Sequence, residues 1–295
     1  MAIFVKKSIQ LLTISPQNTP TAKLHSYLLS AVAPRPIALA STMDEQGKPN
    51  LSPFSFFNVF SANPPILIFS PSRRVRDNTV KHTLDNARAT KEVVINVVTH
   101  GIVQQTSLSS TEYDKGVNEF DKAGFTMMRS ELVKPFRVKE SPVQFECKVI
   151  EIKELGTEGG AGNLIICEVL CMHIDERVLD KDQQIDQVKL DLVARAGGNF
   201  YSRARESFFE IPKPLQLKGM GVDNLPDAVR ESNILTGNDL GMLGNVESLP
   251  DQSDVNKFLQ DNPGFITREL NEKHKFAQEL LKKNDVAGAW KVLLS

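Results

Sequence analysis

Ser41 and Thr42 close a segment of small apolar residues, APRPIALAST (33–42), where two hydroxyls can meet a phosphate or the edge of a ring. A second segment, NLSPFSFFNVFSANPP (50–65), sets Ser52, Ser55 and Asn58 among phenylalanines. That mixture suits a flat, amphipathic ligand whose edge carries carbonyl and nitrogen groups. In a third, VKHTLDN (80–86), Lys81 and Thr83 fall in the first turn of an expected helix, where free backbone N–H groups and the macrodipole favour an anion. On the residues alone a plainer reading leads: Phe54, Phe56 and Phe57 are core, and Lys81 is a solvated charge.

Other catalytic patterns are thin. The chain has no GxSxG elbow, no P-loop, and no GxGxxG between a strand and a helix. Gly156, Gly159, Gly160 and Gly162 read as a hairpin turn rather than a phosphate cradle. The five histidines are scattered, and the three cysteines show no CxxC spacing. Cys167 and Cys171 share one expected strand, which sets them ~13 Å apart, beyond the ~7 Å reach of a disulfide. Cys147 is isolated. Buried free thiols and no protein-held metal are expected, and no side chain is singled out as catalytic. Any chemistry would come from a cofactor.

The elements that must position these groups are mostly strands. Pro36–Thr42 reads as one, and Asp44–Lys48 as a hairpin turn. Asn50–Phe60 reads as the return strand and Ile66–Ser70 as a buried strand after Asn63-Pro64-Pro65. Val93–Val98 and Val143–Val149 follow, the latter alternating with period two, and Leu164–Ile174 returns after the glycine-rich turn. A short helix precedes the first strand, ending near Ala31. Thr79–Thr90 reads as a helix through Val80, Leu84 and Ala87, and residues 101–130 as helix or loop. This pattern favours a barrel over a doubly wound sheet. From about residue 215 glycines punctuate short segments, and two helices, Pro263–Lys283 and Asp285–Leu294, end the chain. The stripe Ile266, Leu270, Ala277, Leu281 is expected to dock on the same core.

Composition bounds the partners. The chain has 295 residues and a formal net charge of -1, which argues against nucleic acid as the main partner. No apolar run approaches the ~20 residues that span a bilayer. The start lacks the long apolar stretch of a secretory signal, so no membrane association and a cytoplasmic location are expected.

The three segments, in this order and at this spacing, resemble the flavin reductase-like FMN-binding split-barrel family, which includes flavoredoxin and reductase components of two-component monooxygenases. The resemblance covers roughly residues 20 to 205, and Arg195-Ala196-Gly197-Gly198-Asn199-Phe200-Tyr201 is similar to the family's arginine, paired-glycine and tyrosine element. It implies a mainly β fold with flanking helices and a split β-barrel over residues 1–214; the segment over 215–295, read from its own pattern as a mostly helical extension packed on the barrel, exceeds the minimal reductases. It implies FMN at the interface of a homodimer, with FAD as the alternative, and NAD(P)H as electron donor.

Arg35, Pro36, Ser41 and Thr42, the loop residues Ser52, Pro53, Phe54, Ser55, Phe57 and Asn58, and Ser70 would surround the ring and ribityl chain. Lys81 and Thr83, with Arg74 or Arg76, would hold the phosphate, and Tyr201 would reach in from the terminal strand. Arg35 serves equally well as a structural ion-pair partner. Where many reductase components carry a Gly-His pair, this chain has Gly162-Asn163-Leu164, which makes direct reduction by NAD(P)H less assured. The expected activity is electron transfer from NAD(P)H through FMN to free flavin or another acceptor, a monooxygenase partner included. The alternatives are an FMN oxidoreductase acting directly on a small organic substrate, and a non-catalytic flavin-binding electron-transfer module.

Overall fold

A computed structural model describes residues 10–211 and 218–295. The chain divides into two compact units, Met1–Phe208 and Phe209–Ser295. The opening residues 1–9 and the border expected at 214–215 lie outside the described residues.

The first unit is built on seven antiparallel strands. They are β1 (Ala38–Met43), β2 (Pro49–Phe54), β3 (Phe57–Ala62), β4 (Pro65–Phe69), β5 (Glu92–Val97), β6 (Val143–Glu154) and β7 (Asn163–Ile174). Their hydrogen-bonded order is β2-β1-β5-β6-β7-β4-β3. β2 and β3 stand at opposite ends of that order, yet only Ser55 and Phe56 separate them in sequence. So short a link spans at most ~11 Å. The sheet must therefore curl until its two edges approach, which is the expected split barrel.

The run Asn50–Phe60 is accordingly two strands, not the single return strand its apolar content suggests. The corner forms because the Phe56 carbonyl accepts a hydrogen bond from the Ser70 amide at 2.8 Å, which turns the chain out of β2 and into its pairing with β4.

Period-two alternation sorts side chains onto the two sheet faces. Ala38, Ala40, Val93, Ile95, Cys147, Ile165 and Phe69 enter one core with Leu84 and Ala87 of helix α2 (His82–Thr90). Leu39 and Leu51 enter a second core with Val98, Phe120 and Phe125. Helix α1 (Thr21–Ala31) buries no residue. α2 starts at His82 rather than Thr79, because the Thr79 carbonyl accepts from the Arg74 amide and the Asp77 carboxylate accepts from Thr79, closing a turn there. Two short strands, β8 (Val193–Arg195) and β9 (Tyr201–Arg203), form a separate antiparallel pair. Cys147 and Cys167 are buried free thiols, and burial pushes both thiol pKa values up.

The second unit is helical: α3 (Gly237–Gly244), α4 (Gln252–Asp261), α5 (Leu270–Leu281) and α6 (Val286–Leu293). It has its own core, in which Leu243, Phe265, Ala277, Leu281 and Trp290 meet. Ala277 and Leu281 therefore face residues of their own unit, whereas the stripe was expected to dock on the barrel core. Ile266 and Leu270 are 62% and 49% exposed and take no part. The expected helix from Pro263 is interrupted, with Pro263–Phe265 a single tight turn and Glu269 extended ahead of α5. No helix among the described residues is long and apolar enough to cross a membrane.

Candidate functional site

Beside the N-terminus of α2 lies a shallow cleft, open to solvent. It brings together Ser52 of β2, Arg74 of the loop after β4, and Lys81 and Thr83 at the start of α2. Sequence reasoning singled out all four.

A buried polar ladder fixes the floor. Asn50 of β2 lies opposite Thr42 of β1 in the register. Its Nδ2 donates to Thr42 Oγ1 at 3.3 Å and to Thr83 Oγ1 at 2.9 Å, using both amide hydrogens. Asn86 Nδ2 donates to Thr42 Oγ1 at 3.2 Å, so two points of α2 are tied to the β1–β2 pair. Lys81 is the extended residue ahead of the helix, and no side chain caps it. No side chain among the described residues accepts from the first-turn amides, and that of Leu84 donates to the Lys81 carbonyl at 2.9 Å.

The charges are concentrated. Arg74 Nη1 donates to Thr79 Oγ1 at 2.7 Å and to the Val80 carbonyl at 3.0 Å, which fixes its guanidinium. Its Nε lies 2.8 Å from Glu112 Oε1, Arg76 Nη2 lies 3.1 Å from Oε2, and Lys81 Nζ lies 3.9 Å from Oε1. Three cations therefore surround one carboxylate. Hydrogen bonds from Arg74 and then Arg76 hold the Glu112 carboxyl below the usual range. Burial, then the neighbouring Arg74, lowers the pKa of Lys81, and the same two causes lower that of His82. Glu119 is buried in the wall, where its Oε2 accepts from the Leu51 amide at 3.0 Å. Burial pushes its carboxyl up, opposed by the Leu51 amide and by Lys81. The arrangement sets Arg74 and Lys81 beside hydroxyl and amide donors, with Glu112 and Glu119 as their counter-charges, a donor set suited to a phosphate. A flavin phosphate fits this donor set.

The other singled-out residues lie elsewhere. Ser41 and Thr42 are both fully buried on β1, and as strand neighbours they point to opposite faces. The Ser41 hydroxyl has no hydrogen-bond partner among the described residues. Phe54 packs against Phe69 inside the barrel core, ring centroids 5.4 Å apart, and Phe57 is packed against that core. Pro53 is half-buried on β2 and Pro36 is exposed before β1. Asn58 is exposed on β3, its Oδ1 accepting from the Val59 amide. Ser70 Oγ accepts from the Asn163 amide at 3.0 Å, and Gly162 leaves no room there, since a Cβ would stand 2.8 Å from that oxygen.

Arg35 is buried, and no carboxylate among the described residues pairs with it. Its guanidinium donates to the carbonyls of Leu29 and Val32 at the end of α1 and to that of Ala196. A 3.5 Å contact links it to Ser55 Oγ. Tyr201 is 41% exposed on β9, with the Arg195 guanidinium 4.6 Å above its ring. Asn163 is fully buried, its Nδ2 donating to the Pro71 carbonyl.

Sequence reasoning missed Asn50, His82, Glu112, Tyr113 and Glu119 in the cleft, with Ser109 and Thr111. Asn50 and His82 stand inside quoted segments, where their neighbours drew attention instead. The rest come from residues 101–130, which carry no motif.

The flavin reductase-like domain profile matches residues 30–189, and that span holds the whole cleft. The chain belongs to the flavin reductase-like family. A family relative from Aquifex aeolicus is 37% identical over 188 residues, covering 64% of this chain and 93% of the relative. Nitrilotriacetate monooxygenase component B from Bacillus cereus superposes with a TM-score of 0.64 at 26% identity, covering 69% of this chain and all of that one. A split-barrel protein from Shewanella frigidimarina gives 0.58 at 26% identity, covering 68% of this chain and 99% of that one. The helical second unit of this flavin reductase-like chain lies beyond the family match.

Proposed function

We propose that this chain is an FMN-dependent oxidoreductase of the flavin reductase type, moving electrons from NAD(P)H through bound FMN to free flavin or another acceptor. The observation that carries the reading is the cleft lined by Arg74 and Lys81, with Arg76 reaching its Glu112 from the rim, within the span matched by the family. Bound FMN supplies the hydride and electron chemistry. Arg74 and Lys81 bind and orient the phosphate, and Ser52 and the His82 and Thr83 amides add uncharged donors. None of these roles needs a side chain that titrates near neutral pH. The same donors accept the phosphates of FAD, which is the alternative cofactor.

Homodimerisation and a cytoplasmic setting belong to the same proposal. Val59 and Phe60 on the edge strand β3 are 64% and 63% exposed, an apolar edge that a second copy would cover. A monooxygenase is a candidate acceptor, because the Bacillus cereus neighbour is by name a component of one. One observation favours a second reading, an FMN oxidoreductase acting on a small organic substrate. Asn163 stands where many reductases have histidine, and its side chain is enclosed and bonded to Pro71.

The test is an absorbance spectrum of the purified protein reconstituted with FMN, then mixed anaerobically with NADH or NADPH. Bound flavin that bleaches within seconds supports the reductase. Bound flavin that stays oxidised turns the reading toward the substrate-specific enzyme or an electron-transfer module. No bound flavin after FMN addition refutes the proposal.

A further inference from the structure

The phosphate cleft brings its own anion. Glu112 is held by nothing but cationic side chains: Arg74 and Arg76 hydrogen-bond to its two oxygens, Lys81 stands beside them, and no backbone amide or hydroxyl among the described residues donates to it. Two buried carboxylates of this unit are bound differently. Glu119 accepts from the Leu51 amide, and Glu146 accepts from the amides of Glu131, Leu132 and Val133. Arg74, for its part, does not need Glu112 to stay in place, because Thr79 and Val80 already fix its guanidinium. The Glu112 side chain is 44% exposed, so it can leave the cleft without opening a cavity.

We infer that Glu112 is an exchangeable counter-ion, whose carboxylate holds Arg74, Arg76 and Lys81 until a phosphate monoester displaces it. This rests on the cleft being the flavin-phosphate site. A phosphate monoester near neutral pH carries up to two negative charges, against one on the carboxylate. Its three acceptor oxygens also match three cations better than two can. Displacement is therefore favourable for FMN, and unavailable to a flavin without phosphate. Glu112 lowers the affinity of every phosphorylated ligand by the strength of its own pairing.

Glu112→Gln and Glu112→Ala test this, titrated with FMN and riboflavin by fluorescence quenching and with inorganic phosphate by calorimetry. FMN and phosphate are expected to bind roughly five- to tenfold more tightly in both variants, the scale of a few part-exposed ion pairs, with riboflavin unchanged. Unchanged or weaker binding of FMN and phosphate overturns the inference and makes Glu112 an organiser of the arginines. Should the wild-type protein bind phosphate but no flavin, the cofactor reading falls, and the phosphate gain in the variants alone decides the role of Glu112. No gain with any probe sinks it.

Discussion

Lys81 offers the sharpest test of the cleft. Its ammonium lies 3.9 Å from the carboxylate whose place the phosphate takes, on a half-buried stem. Lys81→Met keeps the stem and removes the charge. A hydrogen bond to a charged partner contributes about 1.5–3 kcal/mol, which corresponds to roughly 10- to 150-fold in affinity. Losing Lys81 also loosens Glu112, its competitor, which offsets part of the loss. A weakening of FMN binding by about tenfold is therefore expected, with riboflavin binding unaffected. The charge has its own pH signature. Burial and Arg74 lower the Lys81 pKa from its ordinary 10.5. The ammonium is thus present at low pH and lost as pH rises through that lowered value, so FMN retention falls earlier on the alkaline side than an ordinary lysine would allow. That limb should vanish in Lys81→Met. Fluorescence titration across pH reads both effects. Unchanged FMN affinity in a variant that melts like the wild type would remove Lys81 from the site.

Three further outcomes concern stability. Glu146 is fully buried, and burial opposes its charge, but donation from the Glu131 and Leu132 amides and from His173 outweighs this and holds its carboxyl low. Glu146→Gln should cost about 3 kcal/mol near neutral pH, with the deficit shrinking as pH falls through the native pKa; a urea midpoint unchanged at neutral pH would contradict it. Trp290 is buried at the centre of the helical unit, with its Nε1 donating to the Leu243 carbonyl at 3.2 Å. Trp290→Ala should cost about 3–5 kcal/mol, read as lost hydrogen-exchange protection over 225–293 with the barrel strands still protected; equal loss in both units would argue against separate cores. His274 is buried, and Ser232 Oγ, already accepting from the amides of Ile234 and Leu235, donates to its Nδ1. Burial lowers the His274 pKa below its ordinary 6.5. The unfolded chain then binds the proton first, so stability is full above that value and falls as pH drops below it. Thermal melts should show a smaller acid loss in His274→Gln, and identical slopes would refute the assignment.

Strands with strict alternation were legible in the sequence, as in Val143–Val149, which begins β6, and so was the small-residue strand β1. The break at Ser55–Phe56 was not. A phenylalanine-rich run looks continuous until Ser70, far along the chain, supplies the amide that bends it. Of the cleft, Lys81 and Thr83 were legible because a helix start has a local signature. Glu112 was not, because its partners lie 36 and 38 residues away. Ser41 and Thr42 were read as a pair although strand geometry turns adjacent side chains apart. In the second unit, the reciprocal bonds between Thr236 and Asp239 open α3. Their spacing is a known helix-start pattern that the surrounding glycines obscured.

The two-residue link between β2 and β3 also governs the order in which the barrel can be made. As the ribosome releases the chain, β3 and β4 can pair at once, but β4 has no second neighbour until β7 emerges, since Leu67 pairs with Cys167. At ~5–20 residues per second that interval is on the order of ten seconds. Throughout it a nascent hairpin bearing Val59, Phe60 and Leu67 presents an open apolar edge. Barrel closure is therefore a late, long-range event, and the newborn chain is most exposed to chaperones and to misassociation before Asn163–Ile174 is made.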